Sequence, residues 1–447
     1  DGTPTDPNLA FVGRWDTTDA TGYVPNWAGA YLRAGFTGTT VKLRQRNTID
    51  LYYSIDGADF TYLTNVSGTV NLTPTALRSG SHTLLVSYRV VGGSYTGDAI
   101  FRGLVLDQGA TTVAARRAAR LIEFVGDSIT LGTTSSRTAL TAYGWLTGEQ
   151  LGTEHTQLGY GGGCLVATSD GCTSVASQFL KTGYSATSPN WDFSRYTADA
   201  VVINLGTNDK SHGVTSADFQ AGYTAFLKTV RARYPKAAIF ALRTFSGRYP
   251  TETQAAVTAV TNGGDRNVFY VDTTGWITSD LLSDSVHPND AGHRAITAKL
   301  APHISAKLGT TTPSSAPASS PAASSPAASS PAASASGSPA TAACQVGYTV
   351  TNQWAGGFQA DVTLRNTGAT ARSGWQLTWS FGSGQLVSQA WNASMAQSGS
   401  TVSASNVSWN ASLPAGGSVG FGFIATGSAT PAPTAFTLGT TTCAVAA

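Results

Sequence analysis

Charge is what this chain has least of. Charged residues fill 12% of its 447 positions, about half the share of an ordinary globular protein. Lys and Arg number 27 against 25 Asp and Glu, a net charge of +2. That balance leaves no basic footprint for nucleic acid and none for an anionic membrane surface. No run of about 18 apolar residues occurs, which excludes a membrane-spanning helix. Methionine is reduced to Met395 alone, and the chain begins at Asp1. The expectation is a mature, secreted, extracellular form from which a signal peptide has been removed. Cysteine is limited to four residues, Cys164, Cys172, Cys344 and Cys443. Four cysteines allow three pairings; grouping by segment favours Cys164 with Cys172 and Cys344 with Cys443, in an oxidising compartment. A zinc site competes for the same residues, but no Cys-x-x-Cys or His-x-His spacing accompanies them. No metal and no cofactor is expected.

What is present falls into four stretches. Residues 1–110 are all-β in pattern: Thr40–Arg44 and His82–Tyr88 alternate, and Asp56-Gly57 marks a turn between apolar runs. Short strands at such intervals predict a β-sandwich, a jelly roll. Trp15 and Trp27 fit its core better than a sugar site. Residues 118–308 change to short continuous apolar runs at Leu121–Val125, Ala200–Leu205, Ala237–Leu242 and Asn267–Val271. Helical patterns separate them, at about 139–151, 217–234, 252–261 and 290–307. Strand and helix in alternation predict a three-layer α/β domain with a parallel sheet, its site at the carboxyl ends of the strands. Residues 309–343 are almost entirely Ser, Ala, Pro and Thr, with a Ser-Ser-Pro-Ala-Ala repeat. Such a stretch cannot bury a core and is expected to be a disordered linker. Residues 344–447 are again all-β, a second sandwich. They hold three charged residues, Asp361, Arg365 and Arg372, yet five of the ten tryptophans. A module so composed binds by stacking rings, not by charge.

Chemistry gathers in the second stretch. Gly126-Asp127-Ser128 ends the run Leu121–Val125 abruptly ahead of a helix. A serine there stands free of the sheet, with helix N-terminal amides close by; taken alone the motif is weak and reads first as a plain helix N-cap. A serine needs a base to act as a nucleophile. Asp284-Ser285-Val286-His287 supplies an imidazole to take its proton and a carboxylate to hold the imidazole in the right tautomer. Gly206-Thr207-Asn208-Asp209, following another strand, offers a side-chain amide to a developing oxyanion; its plainer reading is a turn that caps the next helix. Gly159-Tyr160-Gly161-Gly162-Gly163 offers a bare backbone. The other histidines, His82, His155, His212, His293 and His303, read as structural.

With these blocks in this order, residues 121–305 resemble the SGNH hydrolases. The resemblance implies Ser128 as nucleophile, His287 as base and Asp284 as its orienting partner. It implies an oxyanion hole from the Ser128 N–H, Asn208 and a glycine, Gly162 by best fit, with Gly161 or Gly163 still open. A jelly roll ahead of such a domain resembles carbohydrate esterase family 2, on Trp27-Ala28-Gly29-Ala30-Tyr31 and the stretch from Asp50 to Gly57. That implies removal of acetyl groups from xylan or glucomannan, with feruloyl and other acyl esters as alternatives. Trp191 and Trp276 are candidates for a substrate wall or for core. Residues 344–443 resemble a family 2 carbohydrate-binding module, on Asn352-Gln353-Trp354, Gly374-Trp375, Gln389-Ala390-Trp391-Asn392 and Trp409-Asn410. This implies Trp354, Trp391 and Trp409 as a row of exposed rings with Asn352 and Gln389 beside them, and Trp375 and Trp379 inside. Gly357 leaves room for Trp354 to lie flat, which favours cellulose over xylan. The whole is expected to be a monomeric secreted esterase anchored to cellulose. A non-catalytic cellulose-binding protein is the alternative from another class.

Overall fold

The computed structural model describes residues 1–91, 98–115, 117–308, 343–354, 356–391, 393–406 and 412–446, and the backbone path alone at positions 351, 352, 354, 388, 389, 391 and 412. The chain divides into two compact units, Asp1–Ala316 and Pro317–Ala447. Of the stretch expected to be a linker, 309–343, residues 309–342 lie outside the described residues.

The first unit opens with seven strands: β1 (Ala10–Asp16), β2 (Val24–Gly38), β3 (Val41–Ile55), β4 (Thr61–Asn71), β5 (Gly80–Tyr88), β6 (Ile100–Leu106) and β7 (Thr112–Val113). Along the start of β3 the alternation is realised, Val41, Leu43 and Gln45 buried and Lys42, Arg44 and Arg46 exposed. Asp56 and Gly57 both adopt positive φ, 54° and 72°, and turn the chain from β3 towards β4 as a hairpin requires. Trp15 and Trp27 are fully buried, so neither forms a sugar site.

Five parallel strands follow: β8 (Leu121–Gly126), β9 (Glu154–Gly159), β10 (Ala200–Asn204), β11 (Ala238–Leu242) and β12 (Val268–Val271), in the order β12-β11-β10-β8-β9. The helices are α1 (Ser128–Leu131), α2 (Tyr143–Leu151), α3 (Val175–Gln178), α4 (Ser216–Arg233), α5 (Pro250–Asn262) and α6 (Asp290–Leu308). Ile122 and Phe124 of β8 share a core with Tyr143 of α2 and Ile296, Leu300 and Ile304 of α6. Leu121 and Val125 share another with Phe219 and Phe226 of α4 and Val257 of α5. Burial on both faces is why these strands read as unbroken apolar runs. The helical pattern at 139–151 is realised in two pieces. A single 3-10 turn at Thr138–Thr141 precedes α2, and Ala142, extended at ψ 153°, separates them.

β8 lies between β9 and β10, so the strand order reverses at its carboxyl end, where open α/β sheets hold their ligands. The sheet does not stop at β9. Ala28 of β2 pairs antiparallel with Gln157, which joins the N-terminal strands and the parallel sheet into one twelve-stranded sheet. At this junction Trp27 takes a positive φ of 62°, a backbone bend of a kind rare for a large side chain.

A buried ion pair crosses the same junction. Arg14 of β1 reaches Glu123 in the middle of β8 at 3.5 Å, both side chains fully buried. The Tyr196 and Tyr234 hydroxyls also donate to Glu123, and Arg14 donates to the Phe179 and Lys181 carbonyls. Removing one partner strands the other charge in the interior.

The second unit, taken alone, is all-β. One five-stranded sheet contains Cys344–Trp354, Gly357–Asn366 and Ser418–Thr426; another contains Gln376–Ser380 and Thr401–Ser405. Trp375 and Trp379 are buried against Phe421 and Phe423, inside as expected. Cys344 and Cys443 are joined, closing the two ends of the unit, and Cys164 and Cys172 are joined in the first. No helix among the described residues is long and apolar enough to cross a membrane.

Arg14→Ala is expected to destabilise the first unit by about 3–5 kcal/mol. Replacing Arg14 and Glu123 together by methionines should cost much less. Urea denaturation of the parent and both variants checks this: an Arg14→Ala variant as stable as the parent would show that the pair carries no such role.

Candidate active site

The nucleophile candidate is built by its two predecessors. A Cβ added to Gly126 would come within 2.0 Å of the Thr130 hydroxyl and 2.7 Å of the Asn204 carbonyl, so only glycine lets β8 turn into α1 here. Asp127 caps the turn, its Oδ1 accepting the Ile129 N–H at 3.0 Å. Asp127 is buried, and loss of solvation pushes its carboxyl up to about 6, against the opposing Ile129 and Thr207 bonds. Ser128 then begins the helical turn with only 8% of its surface exposed.

His287 arrives from the loop ahead of α6. Asp284 makes that loop: its Oδ1 accepts the N–H groups of Val286 and His287, each at 2.8 Å. Its Oδ2 meets His287 Nδ1 at 2.7 Å. On the far side of the ring, Nε2 lies 2.8 Å from Ser128 Oγ. With Nδ1–H donated to the carboxylate, Nε2 presents its lone pair to the serine hydroxyl, the arrangement of a general base. The His287 backbone N–H, its imidazole and the Val286 N–H together hold the Asp284 carboxyl down at about 2. The rim is tied on its other side, where the Ser136 N–H donates to Asp290 Oδ1 at 2.8 Å.

The oxyanion candidates come from the ends of β9 and β10. Asn208 Nδ2 donates to the Gly163 carbonyl at 2.8 Å, which leaves its second N–H to point elsewhere. The Gly163 N–H is itself taken up by the Tyr160 carbonyl at 3.0 Å. Gly162, at φ +75°, is the position in this turn with left-handed backbone. Asp209 does not cap the next helix. Thr215 caps α4, by accepting the Asp218 N–H at 3.1 Å. Asp209 is instead buried and accepts the N–H groups of Leu165 and Val166, each at 2.9 Å. Burial raises its carboxyl above the usual range, against those two bonds. It fastens the loop after β9 to the loop after β10, and His212 paired with Asp170 at 2.7 Å fastens them again. Nothing in the sequence spacing marks these roles, because both partners of Asp209 are backbone amides.

Trp191 and Trp276 are buried. Trp191 lies under the guanidinium groups of Arg14 and Arg195, at 5.3 and 5.0 Å, and Trp276 packs on His303 at 5.9 Å. Core packing is the role the geometry gives them. His293 is also structural: its Nδ1 accepts the Tyr143 N–H at 3.2 Å, and burial pushes it down to about 4. Beside the glycine turn opens a cleft of about 550 Å³, whose lining includes Tyr160, Thr173, Ser174, Gln178 and Tyr184. In the second unit, the side chains of Asn352, Trp354, Gln389 and Trp391, and the whole of Trp409, lie outside the described residues.

A serine, an imidazole and a carboxylate in hydrogen-bonded sequence, at the carboxyl edge of a parallel sheet, form the arrangement that a serine hydrolase uses. Comparison with known proteins makes this more particular. Residues 11–115 match the family model described as carbohydrate esterase 2 N-terminal, and residues 124–295 that of the GDSL-like lipase/acylhydrolase family. Residues 344–443 match a cellulose binding domain. Over 329 residues, 68% of this chain and 40% of the relative, the chain is 26% identical to cellulase/esterase CelE of Acetivibrio thermocellus. Over 89 residues, 20% of each chain, it is 51% identical to endoglucanase A of Thermobispora bispora. The chain thus spans between a fifth and two fifths of the length of these curated relatives. Its fold is similar to a family two carbohydrate esterase from Clostridium thermocellum solved in complex with cellohexaose. The TM-score is 0.61 at 25% identity, over 68% of this chain and 100% of that one. A family two carbohydrate esterase from Cellvibrio japonicus shares the fold at TM-score 0.59, 22% identity, and 68% and 97% coverage. Residues 11–295 thus carry a carbohydrate esterase 2 N-terminal match followed by a GDSL-like acylhydrolase match, in a fold similar to that of family two carbohydrate esterases, and residues 344–443 carry a cellulose binding domain match.

Asp284 is held ionised down to about pH 2, so its own protonation does not account for a loss of activity on acidification above that point. Asp284→Asn should lower kcat/KM on the order of 10²- to 10⁴-fold while the acid limb of the rate profile persists. A profile whose acid limb disappears with Asp284 would overturn this. In stability the same carboxylate contributes above its ordinary value of 3.8, and the contribution is lost as pH falls through about 2.

Proposed function

We propose that this chain is a secreted, monomeric carbohydrate esterase that removes acetyl groups from xylan or glucomannan. The observation that carries the proposal is the unbroken chain from Ser128 Oγ through both nitrogens of His287 to Asp284, at 2.8 and 2.7 Å. Ser128 Oγ attacks the ester carbonyl as His287 Nε2 takes its proton. The tetrahedral oxyanion is received by the Ser128 and Gly162 N–H groups and the free N–H of Asn208. His287 returns the proton to the departing sugar hydroxyl, leaving an acyl-enzyme. Water, deprotonated by the same nitrogen, then attacks the acyl carbon, and acetate departs as Ser128 recovers its proton. Thr173 and Gln178 in the adjoining cleft offer hydroxyl and amide partners suited to a sugar. In this reading residues 1–110 are an accessory β-domain, 118–308 the catalytic domain, 309–343 a linker and 344–447 the cellulose anchor. Trp354, Trp391 and Trp409 would stack on glucan, with Asn352 and Gln389 beside them. The relative named cellulase/esterase and the matched cellulose binding domain support both halves.

Ser128→Ala in the full chain should cut acetate release from acetylated xylan by about 10⁴- to 10⁶-fold and leave retention on cellulose unchanged. Retained hydrolysis would end the esterase assignment and favour a non-catalytic binding protein. Mass spectrometry of products from acetylated and feruloylated xylan side by side decides the acyl group; ferulate as the main product would replace acetate in the proposal. Asn208→Ala should lower kcat by on the order of 10²- to 10³-fold at similar KM, and an unchanged kcat would remove Asn208 from the oxyanion hole.

A further inference from the structure

Tyr62 is the only aromatic side chain among the described residues that the fold leaves exposed, with 42% of its surface open. It lies on β4, the last strand of the sheet, directly opposite Tyr52 of β3. The two rings are stacked, centroids 4.5 Å apart and planes at 21°. Tyr52 is buried. A ring laid flat on a buried ring, and itself exposed, turns its other face to solvent. The ring is also pinned. Its hydroxyl donates to Asp50 Oδ2 at 2.6 Å, and Asp50 Oδ1 accepts the Asn65 N–H at 2.8 Å. Arg89 stands 3.9 Å from the same carboxylate. A flat apolar face held in one orientation, with carboxylate and guanidinium groups at its margin, has little ordering entropy left to lose on binding. The C–H face of a pyranose suits the ring, and its equatorial hydroxyls suit the margin.

Tyr52, beneath the exposed ring, packs in the same core as Leu140, in the single 3-10 turn that follows Arg137. Arg137 follows Ser136, whose N–H and hydroxyl are bound by Asp290, three residues after His287. We propose that Tyr62, with Asp50 and Arg89, is a remote sugar-stacking subsite for the same β-1,4-linked glycan chain whose ester is presented to Ser128. This rests on the esterase reading. It adds that the N-terminal strands hold substrate rather than only support the catalytic sheet.

The test uses the full chain, Tyr62→Ala and Tyr62→Phe, assayed on soluble acetylated xylan and on 4-nitrophenyl acetate. Tyr62→Ala should raise KM on the polymer about three- to tenfold, with kcat and small-ester kinetics unchanged. Tyr62→Phe, which keeps the ring, should restore most of the loss. A polymer KM equal to the parent's overturns the subsite, and so does an equal loss on both esters, which would mark a structural role. Should the parent hydrolyse neither ester, the esterase reading fails on its own. The platform is then read by retardation of parent and Tyr62→Ala in native gels containing soluble xylan: weaker retardation of the variant supports it, and equal retardation overturns it.

Discussion

The hydrogen bond from Ser128 to His287 joins two parts of the chain 159 residues apart, and much of the first unit serves to make that meeting possible. A serine hydroxyl gains nothing from an imidazole that swings away from it. Here the imidazole is held from both sides, and the same carboxylate that orients it also folds the loop that carries it. The loop is braced in turn where Ser136 and Asp290 tie the rim behind Ser128 to the first residue of α6. Across the site, the oxyanion candidates are fastened by Asp209 and Asn208, which stitch the ends of β9 and β10 together. Preorganised donors of this kind stabilise developing charge without reorganising during the reaction.

The union of the two β-regions follows the same logic. β2 pairs with β9, the strand that leads into the glycine turn, through Ala28 and Gln157. Arg14 and Glu123 fix β1 against the middle of β8, five residues before the nucleophile. An ion pair so deep adds little net stability over apolar packing, yet a misaligned junction would leave both charges unpaired. It therefore acts as a registration device between the N-terminal strands and the catalytic sheet.

Much of this was legible in the sequence, for physical reasons that differ from part to part. Strands buried on both faces show as unbroken apolar runs, so β8, β10 and β11 stand out, and the glycine, aspartate and serine that end β8 each answer a separate local need. Asp284 and His287 are visible together because their interaction is local. What escapes is whatever depends on partners distant in sequence. Asp209 looks like a helix cap because its true partners are two backbone amides some forty residues earlier. Glu123 looks like an interruption in an apolar strand until Arg14 is set against it. Tyr52 and Tyr62 look like alternating strand residues; only strand pairing shows that one covers the other.

The scarcity of charge acquires a meaning once positions are known. Several ionisable groups are spent inside, on Arg14, Glu123, Asp127 and Asp209, where burial makes each an organiser of backbone or of another side chain. The rest, nearly balanced in sign, leave little net charge to attract or repel a polymer. An uncharged glycan offers nothing to a charged surface but hydroxyl groups and the flat C–H faces of its rings. Rings meeting rings, with amides and hydroxyls at their edges, are then the available mode of recognition. In the proposed reading the tryptophans of the second unit and the stacked tyrosines of the first answer the same chemical problem, each in its own fold.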